Sequence, residues 1–332
     1  MRLDTPTPFH TIMMPMSWSP VNDVCSELLE DIRKIRLNFS ILVGWVDEVD
    51  QSKVLEDVVT EEAAINFFMD MFGVTNLSNL VGEITFFHEL SSTMNAEICG
   101  RSFIQMKKDR KVVETVQQHR IEALVKFLMH IGDPAVLCDD PKPIDITWTK
   151  LREEAMKSRM RPFAAEFLQV IATVYENWKP GSHHQDTKFN KQKLLSDIQE
   201  IKKLQEVLTE IDDDKRQALA EDITGRILLV CWHGMSLEIA RVLEKVADYF
   251  SMSDEVITSP LGESRVNDVQ KIGCILSQAA SSTLDDGLDP LQRMMHDAAD
   301  SVSKYQLLLT ALTNQAALNN ASTESMPNGR SY

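Results

Sequence analysis

The sequence predicts an all-α protein, built from helical hairpins and a bundle of long amphipathic helices. Apolar residues recur at spacings of three and four over long stretches, most clearly across 106–131 and 194–211. Short segments rich in Gly, Pro and Asp, which end helices, separate these stretches. Alternating β-branched residues between turn signals, which would indicate strands, are scarce. We therefore expect helices throughout.

The N-terminal quarter predicts an irregular start and two helical units. Residues 1–19 carry three prolines and four methionines and are expected to be irregular. Apolar side chains at helical spacing over 21–37 predict the first helix. A second helical unit follows over 65–72. Gly73 is expected to end it, because glycine readily takes the left-handed conformation at a helix C-terminus.

Two further helices are predicted in the next segment. The first runs over 80–90, with Asn76 or Ser78 as its candidate N-cap. The second is the long amphipathic stretch over 106–131. A Gly-Asp-Pro sequence at 132–134 is expected to end that helix, because proline cannot continue it.

Prolines at 141 and 143 mark the clearest break in the chain. Beyond it, Thr147 or Thr149 is expected to cap a long helix that runs to about Trp178. The stripe over 194–211 is narrow and flanked by charged residues, as in a hairpin arm or a coiled coil. Pairing within the chain is the expected use of this stripe, and pairing with a second copy is the alternative.

Residues 223–278 predict a turn between two helices and then a shorter helix. A Trp-x-Gly sequence places the turn at Gly234. Ser236 is the expected N-cap of the following helix, and Glu238 supplies acidic support in its first turn. A last amphipathic helix is expected over 290–318.

The charge and composition narrow the classes of partner. The formal net charge is −16, and an acidic surface repels phosphate backbones, so nucleic acid is not an expected partner. The sequence contains no run of about 18 apolar residues, which predicts that no segment spans a membrane. The five cysteines are widely spaced without a Cys-x-x-Cys pair, which fits a reducing compartment. We therefore expect a cytoplasmic protein, with an organelle surface as the alternative location.

No pattern predicts catalysis, a metal site or a cofactor. Cys231 and His233 are near neighbours in sequence, which argues little for a paired nucleophile and base. The two histidines at 183–184 lack further ligands at helical spacing. His119 and Glu122 lack the second Glu-x-x-His copy of a di-iron bundle. Glycine-rich phosphate loops are also missing from the sequence. We therefore expect a protein that is not an enzyme.

Two blocks in the first half of the chain carry recognisable motifs. Residues 67–89 read FFMDMFGVTNLSNLVGEITFFHE, with a Phe-Gly pair at Phe72 and Gly73 and a Val-Gly-Glu motif ending at Gly82 and Glu83. The long helical stretch over 105–131 follows and makes the second block.

Two later blocks complete the pattern. Residues 151–175 read LREEAMKSRMRPFAAEFLQVIATVY, and residues 223–278 contain the Trp-x-Gly and Leu-Glu-Ile sequences. In this order the four blocks resemble the X domain that follows the J domain in DnaJ-type co-chaperones of fungi and plants. The motif residues in the last two blocks are Glu154, Phe163, Glu166, Tyr175, Trp232, Gly234, Glu238, Ile239 and Gly273.

The sequence also departs from the family. Pro162, Ala164 and Ala172 replace a usual Ser, Gly and Gly, which indicates a diverged member. Family members carry a J domain whose His-Pro-Asp loop stimulates the ATPase of a heat-shock chaperone. This sequence contains no His-Pro-Asp. The resemblance therefore implies either a relative without a J domain or a gene model that has lost upstream exons.

The resemblance implies a division of the chain into four parts. Residues 1–60 stand in place of a J domain, and 61–285 form the X-domain-like helical module. Residues 286–318 form a C-terminal amphipathic helix, and 319–332 a disordered tail.

The resemblance implies a non-catalytic protein-binding module of a J-protein-related co-chaperone. Such a module would act in protein folding or in trafficking, including the peroxisomal import served by fungal family members. Its partner would be a heat-shock chaperone, a client or an import receptor, and Met294 and Met295 could offer clients an adaptable apolar surface. Three alternatives are a full J-domain co-chaperone, an adaptor that self-associates through 190–211, and an enzyme on a helical bundle.

Overall fold

The computed structural model describes residues 20–45, 60–99, 103–132, 142–159, 162–178, 191–211, 213–251, 260–281 and 289–299. Within these ranges the regular structure is entirely helical, so the predicted all-α class is confirmed. The helices are α1 (Pro20–Leu42), α2 (Glu61–Met71), a 3-10 helix (Val74–Leu77), α3 (Ser78–Val81), α4 (Phe86–Cys99), α5 (Phe103–Gly132), α6 (Lys142–Ser158), α7 (Pro162–Asn177), α8 (Lys191–Glu210), α9 (Asp213–Ser251), α10 (Pro260–Ser281) and α11 (290–299).

The long helix α9 is the centre of the fold. It packs against α1, α5, α7 and α8, while α7 and α10 form the most extensive helix pair. Apolar side chains from all of these helices belong to one continuous buried core. Burial of that surface is the main force that holds the helices together.

The first helix belongs to the same core as the rest. Ile35, Phe39 and Leu42 are fully buried, and the ring of Phe39 meets the ring of Phe68 edge-on at 6.5 Å between centroids. The described part of residues 1–60 therefore packs directly on the region predicted to be a separate module.

Two predicted helix ends are confirmed. Gly73 adopts the left-handed conformation, with φ 67° and ψ 17°, just after α2 ends. Its amide donates to the carbonyl oxygen of Asp70 at 3.0 Å. The helix predicted over 106–131 is α5, and it ends at Gly132 as expected.

The prediction of one helix over 80–90 is wrong, because a non-helical segment separates α3 from α4. Gly82 follows α3 with φ 69° and ψ −165°, a conformation open to glycine alone. Neither Asn76 nor Ser78 caps a helix, since α3 begins without a side-chain cap. The amides at the start of α4 are bonded instead by Glu238, which lies far away in sequence. Local patterns cannot reveal such a partner.

The single helix predicted to run to Trp178 is two helices. α6 ends at Ser158, and α7 begins at Pro162. Proline is favoured at the first position of a helix, where its missing N–H is not needed. Thr147 and Thr149 lie inside α6 and therefore do not cap it.

The turn predicted at Gly234 and the N-cap predicted at Ser236 are also wrong. Both residues lie in the middle of α9, which is continuous over 39 residues. Glycine inside a helix is unfavourable by about 1 kcal/mol relative to alanine. Gly234 is accommodated there because the ring of Phe86 packs directly on its backbone.

The stripe over 194–211 pairs within the chain. Its side chains at Ile198, Ile201, Leu204 and Leu208 are buried, and α8 packs on α9. The expected intramolecular use of the stripe is confirmed. Self-association through 190–211 stays a prediction, and it would have to use a face of α8 other than these buried side chains.

The last described helix, α11, corresponds to the start of the amphipathic helix predicted over 290–318. Met295 is buried, which removes it from the surface predicted to receive clients. Several predictions lie outside the described residues: the irregular start, the histidine pair at 183–184, and the disordered tail.

Candidate functional site

The carboxylate of Glu238 is the centre of a buried polar cluster. Its Oε1 accepts from the backbone amide of Thr85 at 2.9 Å and from the Thr85 hydroxyl at 3.1 Å. Its Oε2 accepts from the amide of Phe86 at 2.7 Å. A carboxylate at this position satisfies amides that the first turn of α4 leaves unbonded, and it also interacts favourably with the helix dipole. A residue of α9 therefore caps α4.

Arg120 of α5 completes the cluster. Its Nη1 donates to Glu238, and its Nε donates to the carbonyl oxygen of Val81, the last residue of α3. Burial lowers the pKa of the Arg120 guanidinium, and the carboxylates of Glu238 and Glu83 oppose that shift. The pair thus connects α3, α4, α5 and α9.

Gly82 fits this cluster for two reasons. Its positive φ is strained for any residue with a side chain. A Cβ at Gly82 would also lie 2.5 Å from Cγ of Arg120. The glycine therefore lets the stem of Arg120 pass close to the backbone after α3.

Aromatic rings fill the space beside the polar cluster. Phe72 lies 4.8 Å from Phe163 and 6.1 Å from Phe167, measured between ring centroids. Phe167 in turn lies 4.1 Å from Trp232. Trp232 is only partly buried, so it covers the outer side of Phe167 and is not the centre of the core.

Gly273 and Tyr175 serve the contact between α7 and α10. A Cβ at Gly273 would lie 2.7 Å from the backbone nitrogen of Glu176 and 3.0 Å from the carbonyl oxygen of Ala172. Gly273 therefore allows the backbone of α10 to approach the backbone of α7 closely beside Ala172. Tyr175 is buried, and burial raises its pKa. Ile239 on α9 is fully buried as well.

Glu166 holds the last helix against the module. Its Oε1 accepts from the side-chain amide of Gln292 at 2.8 Å and lies 3.2 Å from Nε2 of His296. Gly225 of α9 lies directly under the backbone carbonyl of Met294, and a Cβ there would overlap it. The helix predicted as a separate C-terminal part is therefore packed on α7 and α9.

An open groove of about 630 Å³ lies between α5, α6 and the segment after α3. We call it the α5 groove. Its lining consists of Ser78, Asn79, Gly82, Glu83, Val116, His119, Arg120, Ala123, Leu124, Phe127, Lys150 and Glu154. Gly82, Glu83 and Glu154 are motif residues, so this groove is one place where the sequence motifs reach the surface.

The described residues include Cys231 and His119, two of the residues considered for chemistry in the sequence. Cys231 is fully buried, and burial raises the pKa of its thiol, which disfavours the reactive thiolate. His119 is exposed on the rim of the α5 groove. Across the described residues, no group of three or more His, Cys, Asp or Glu side chains could hold a metal ion.

Sequence reasoning missed several residues that build the site. Arg120 and Thr85 complete the Glu238 cluster, Phe86 packs on Gly234, and Phe127 lines the α5 groove. Arg120 carried one available signal, since it is a charged residue between the apolar positions Val116 and Leu124 of an amphipathic helix. A buried charge needs a partner, but the sequence does not show which one.

Comparison with known proteins reveals a distant relative. The chain is 23% identical over 261 residues to an uncharacterised J domain-containing protein of Schizosaccharomyces pombe. The match covers 68% of this chain and 72% of the relative. No family model matches the chain, and no solved structure matches it significantly. The chain is therefore distantly related to a J domain-containing protein. In the described part of the chain, no helix is sufficiently long and apolar to cross a membrane.

Proposed function

We propose that this chain is a non-catalytic protein-binding module of a J-protein-related co-chaperone. The observation that carries the proposal is the similarity to a J domain-containing protein over 68% of the chain. The four motif blocks, which resemble an X domain, support the same assignment from the sequence.

The geometry supports a binding role over a catalytic one. Most motif residues pack helices together: the rings of Phe72 and Phe163 are in contact, Gly273 lets α10 approach α7, and Glu238 caps α4. Three motif residues, Gly82, Glu83 and Glu154, border an open groove. A rigid framework with an open groove suits recognition of another protein.

The module acts in the cytoplasm or at an organelle surface, in protein folding or in trafficking such as peroxisomal import. Its partners are a heat-shock chaperone, a client or an import receptor. The net charge of −16 makes nucleic acid a poor partner.

Binding measurements with purified components test this proposal. The full chain is titrated against a permanently unfolded client, its native counterpart, and an Hsp70 chaperone in its ATP and ADP states. We expect saturable binding to the unfolded client or to the chaperone, and none to the native counterpart. Absence of both interactions for a chain that circular dichroism shows to be helical would contradict the proposal.

The name of the relative favours a second candidate, a co-chaperone that also has an ATPase-stimulating J domain. Mapping the 5′ end of the transcript tests it. An in-frame upstream segment that encodes His-Pro-Asp would support this candidate and call for ATPase assays. A transcript that starts at the codon for Met1 would remove it.

A further inference from the structure

The α5 groove has the length of a short helix. Its α5 wall is one continuous stripe, formed by Val116, His119, Arg120, Ala123, Leu124 and Phe127. At about 1.5 Å rise per residue, this stripe extends over roughly 16 Å, or three helical turns. Val112 lies one turn further along the same face and is 63% exposed, which makes it the most exposed large apolar side chain in the described residues. The apolar surface therefore continues past the groove.

The floor of the groove offers little free charge. The guanidinium of Arg120 is directed to the carboxylate of Glu238 and the carbonyl oxygen of Val81, and its Nη2 is buried without a hydrogen-bond partner. The other floor residues, Val116, Leu124 and Phe127, are apolar. This apolar strip can accommodate the apolar side chains of a peptide, and the polar residues of the lining lie beside it.

The rim of the groove carries more negative than positive charge. Glu83 and Glu154 face it from two different walls, and Lys150 is the one cation on its α6 wall. Among the described residues, none of these three side chains forms an ion pair. The net charge of −16 adds a field that attracts cations to the whole surface.

We propose that the α5 groove binds an amphipathic helix of a partner protein, whose apolar face is flanked by lysine or arginine. Apolar side chains at spacings of three and four enter the groove along α5, and the basic side chains meet Glu83 and Glu154. The inference rests on the proposed function in taking a protein as the partner, and it adds the chemistry of the recognised segment.

A labelled peptide of about four helical turns, made of Leu, Ala and Lys with leucines on one face, serves as the probe. Its affinity for the full chain is measured by fluorescence anisotropy. Two reference peptides have the same composition in scrambled order, and glutamate in place of lysine. We expect the basic amphipathic peptide to bind at least about tenfold more tightly than either reference.

Matched variants locate the binding site. Val116→Lys places a cation on the apolar floor and is expected to weaken binding by more than about tenfold. Glu154→Gln is expected to weaken it about threefold to fivefold, as an exposed ion pair does, while Lys150→Gln is expected to leave it equal or tighter. Leu29→Lys on α1 adds the same charge at a 47% exposed position away from the groove. That control is expected to bind as the unmodified chain does.

Several results would overturn the inference. The scrambled peptide binding equally well would show attraction by charge alone. Unchanged binding by Val116→Lys would place the peptide elsewhere. A dimer in light scattering that Val116→Lys abolishes would identify a second copy as the occupant. If the client or chaperone still binds and only the peptide result fails, the groove inference is wrong and the proposed function stands.

Discussion

Glu238 places one carboxylate where two backbone amides, a hydroxyl and a guanidinium converge. These donors come from residues more than 110 positions away along the chain. The carboxylate therefore joins α9 to α4 and α5, which lie far from α9 along the chain, and its removal affects all three helices. Arg120 depends on it most, because a buried charge without a counter-charge is strongly unfavourable.

Glu238→Gln should destabilise the protein by about 3–5 kcal/mol, because it leaves Arg120 charged and buried without a counter-charge. The double variant Arg120→Met with Glu238→Gln should lose less than the sum of the two single changes, since no unpaired charge remains. Urea unfolding followed by circular dichroism measures both. Glu153→Gln, at an exposed position on α6, is the control. Strict additivity of the two changes would contradict the proposed coupling.

Gly82→Ala should destabilise the protein by more than Gly44→Ala, and thermal unfolding compares the two. Both glycines have positive φ, 69° and 70°, so each alanine carries backbone strain of about 1–3 kcal/mol. Gly44 is exposed, whereas a Cβ at Gly82 would also meet Arg120. Equal losses would mean that the Arg120 side chain moves aside freely.

The resemblance identified many of these residues, but sequence patterns could not give their roles. Glu238 was expected to support the first turn of its own helix, and it caps a different helix instead. Gly234 was expected to form a turn, and it receives an aromatic ring. In each case the deciding contact comes from a residue roughly 150 positions away, which spacing along the chain does not report.

At the scale of helices, the sequence predicts that a helix forms better than it predicts where the helix begins and ends. The apolar stripes of α5 and α8 were long and regular, and both helices lie where the stripes indicated. At 82–85 and 234–236 the choice between break and continuation depends on contacts with distant residues, whereas the start of α7 at Pro162 is a local signal that the prediction missed. A local capping residue or helix breaker is a weak signal, because a side chain that is distant in sequence can cap a helix or stabilise it across a glycine.

Gly234→Ala tests the continuity of α9. Alanine normally stabilises a helix by about 1 kcal/mol relative to glycine. Here the new methyl group would overlap the buried ring of Phe86, so we expect a loss of about 2–3 kcal/mol instead. Phe86→Leu should recover part of this loss in the double variant, because it removes the ring edge. Unfolding of all four proteins in urea measures the effect, and a more stable Gly234→Ala would contradict the packing.

At the scale of the whole molecule, one core joins parts of the chain that the sequence separated. α1 packs under α2 and α9, and α11 is held by Glu166 and by the close approach at Gly225. Single-residue changes in the Glu238 cluster should therefore lower the stability of the whole core, and not loosen one segment alone. Cooperative unfolding of a continuous core has this property.

The same core predicts a loss of stability at alkaline pH. Burial raises the pKa of the Cys231 thiol above its ordinary value of 9.0, so the folded protein retains a proton that the unfolded chain releases. This contribution is fully present below pH 9 and declines as pH rises above it, by up to about 1.4 kcal/mol per pH unit. Tyr175 adds a similar decline above its ordinary value of 10.0, because its pKa is also raised.

Urea unfolding between pH 8 and pH 11 measures this decline, and Cys231→Val isolates the contribution of the thiol. The variant loses the ionisable group while it keeps an apolar side chain in the core, so its stability should fall less steeply above pH 9. Cys274→Val is the matched control, because it removes an exposed thiol on α10 and leaves the buried one in place. If Cys231→Val follows the same curve as the unmodified protein, the thiol ionises in the folded state. Residue 231 would then be reached by solvent, and the close packing of α9 in the core would be wrong.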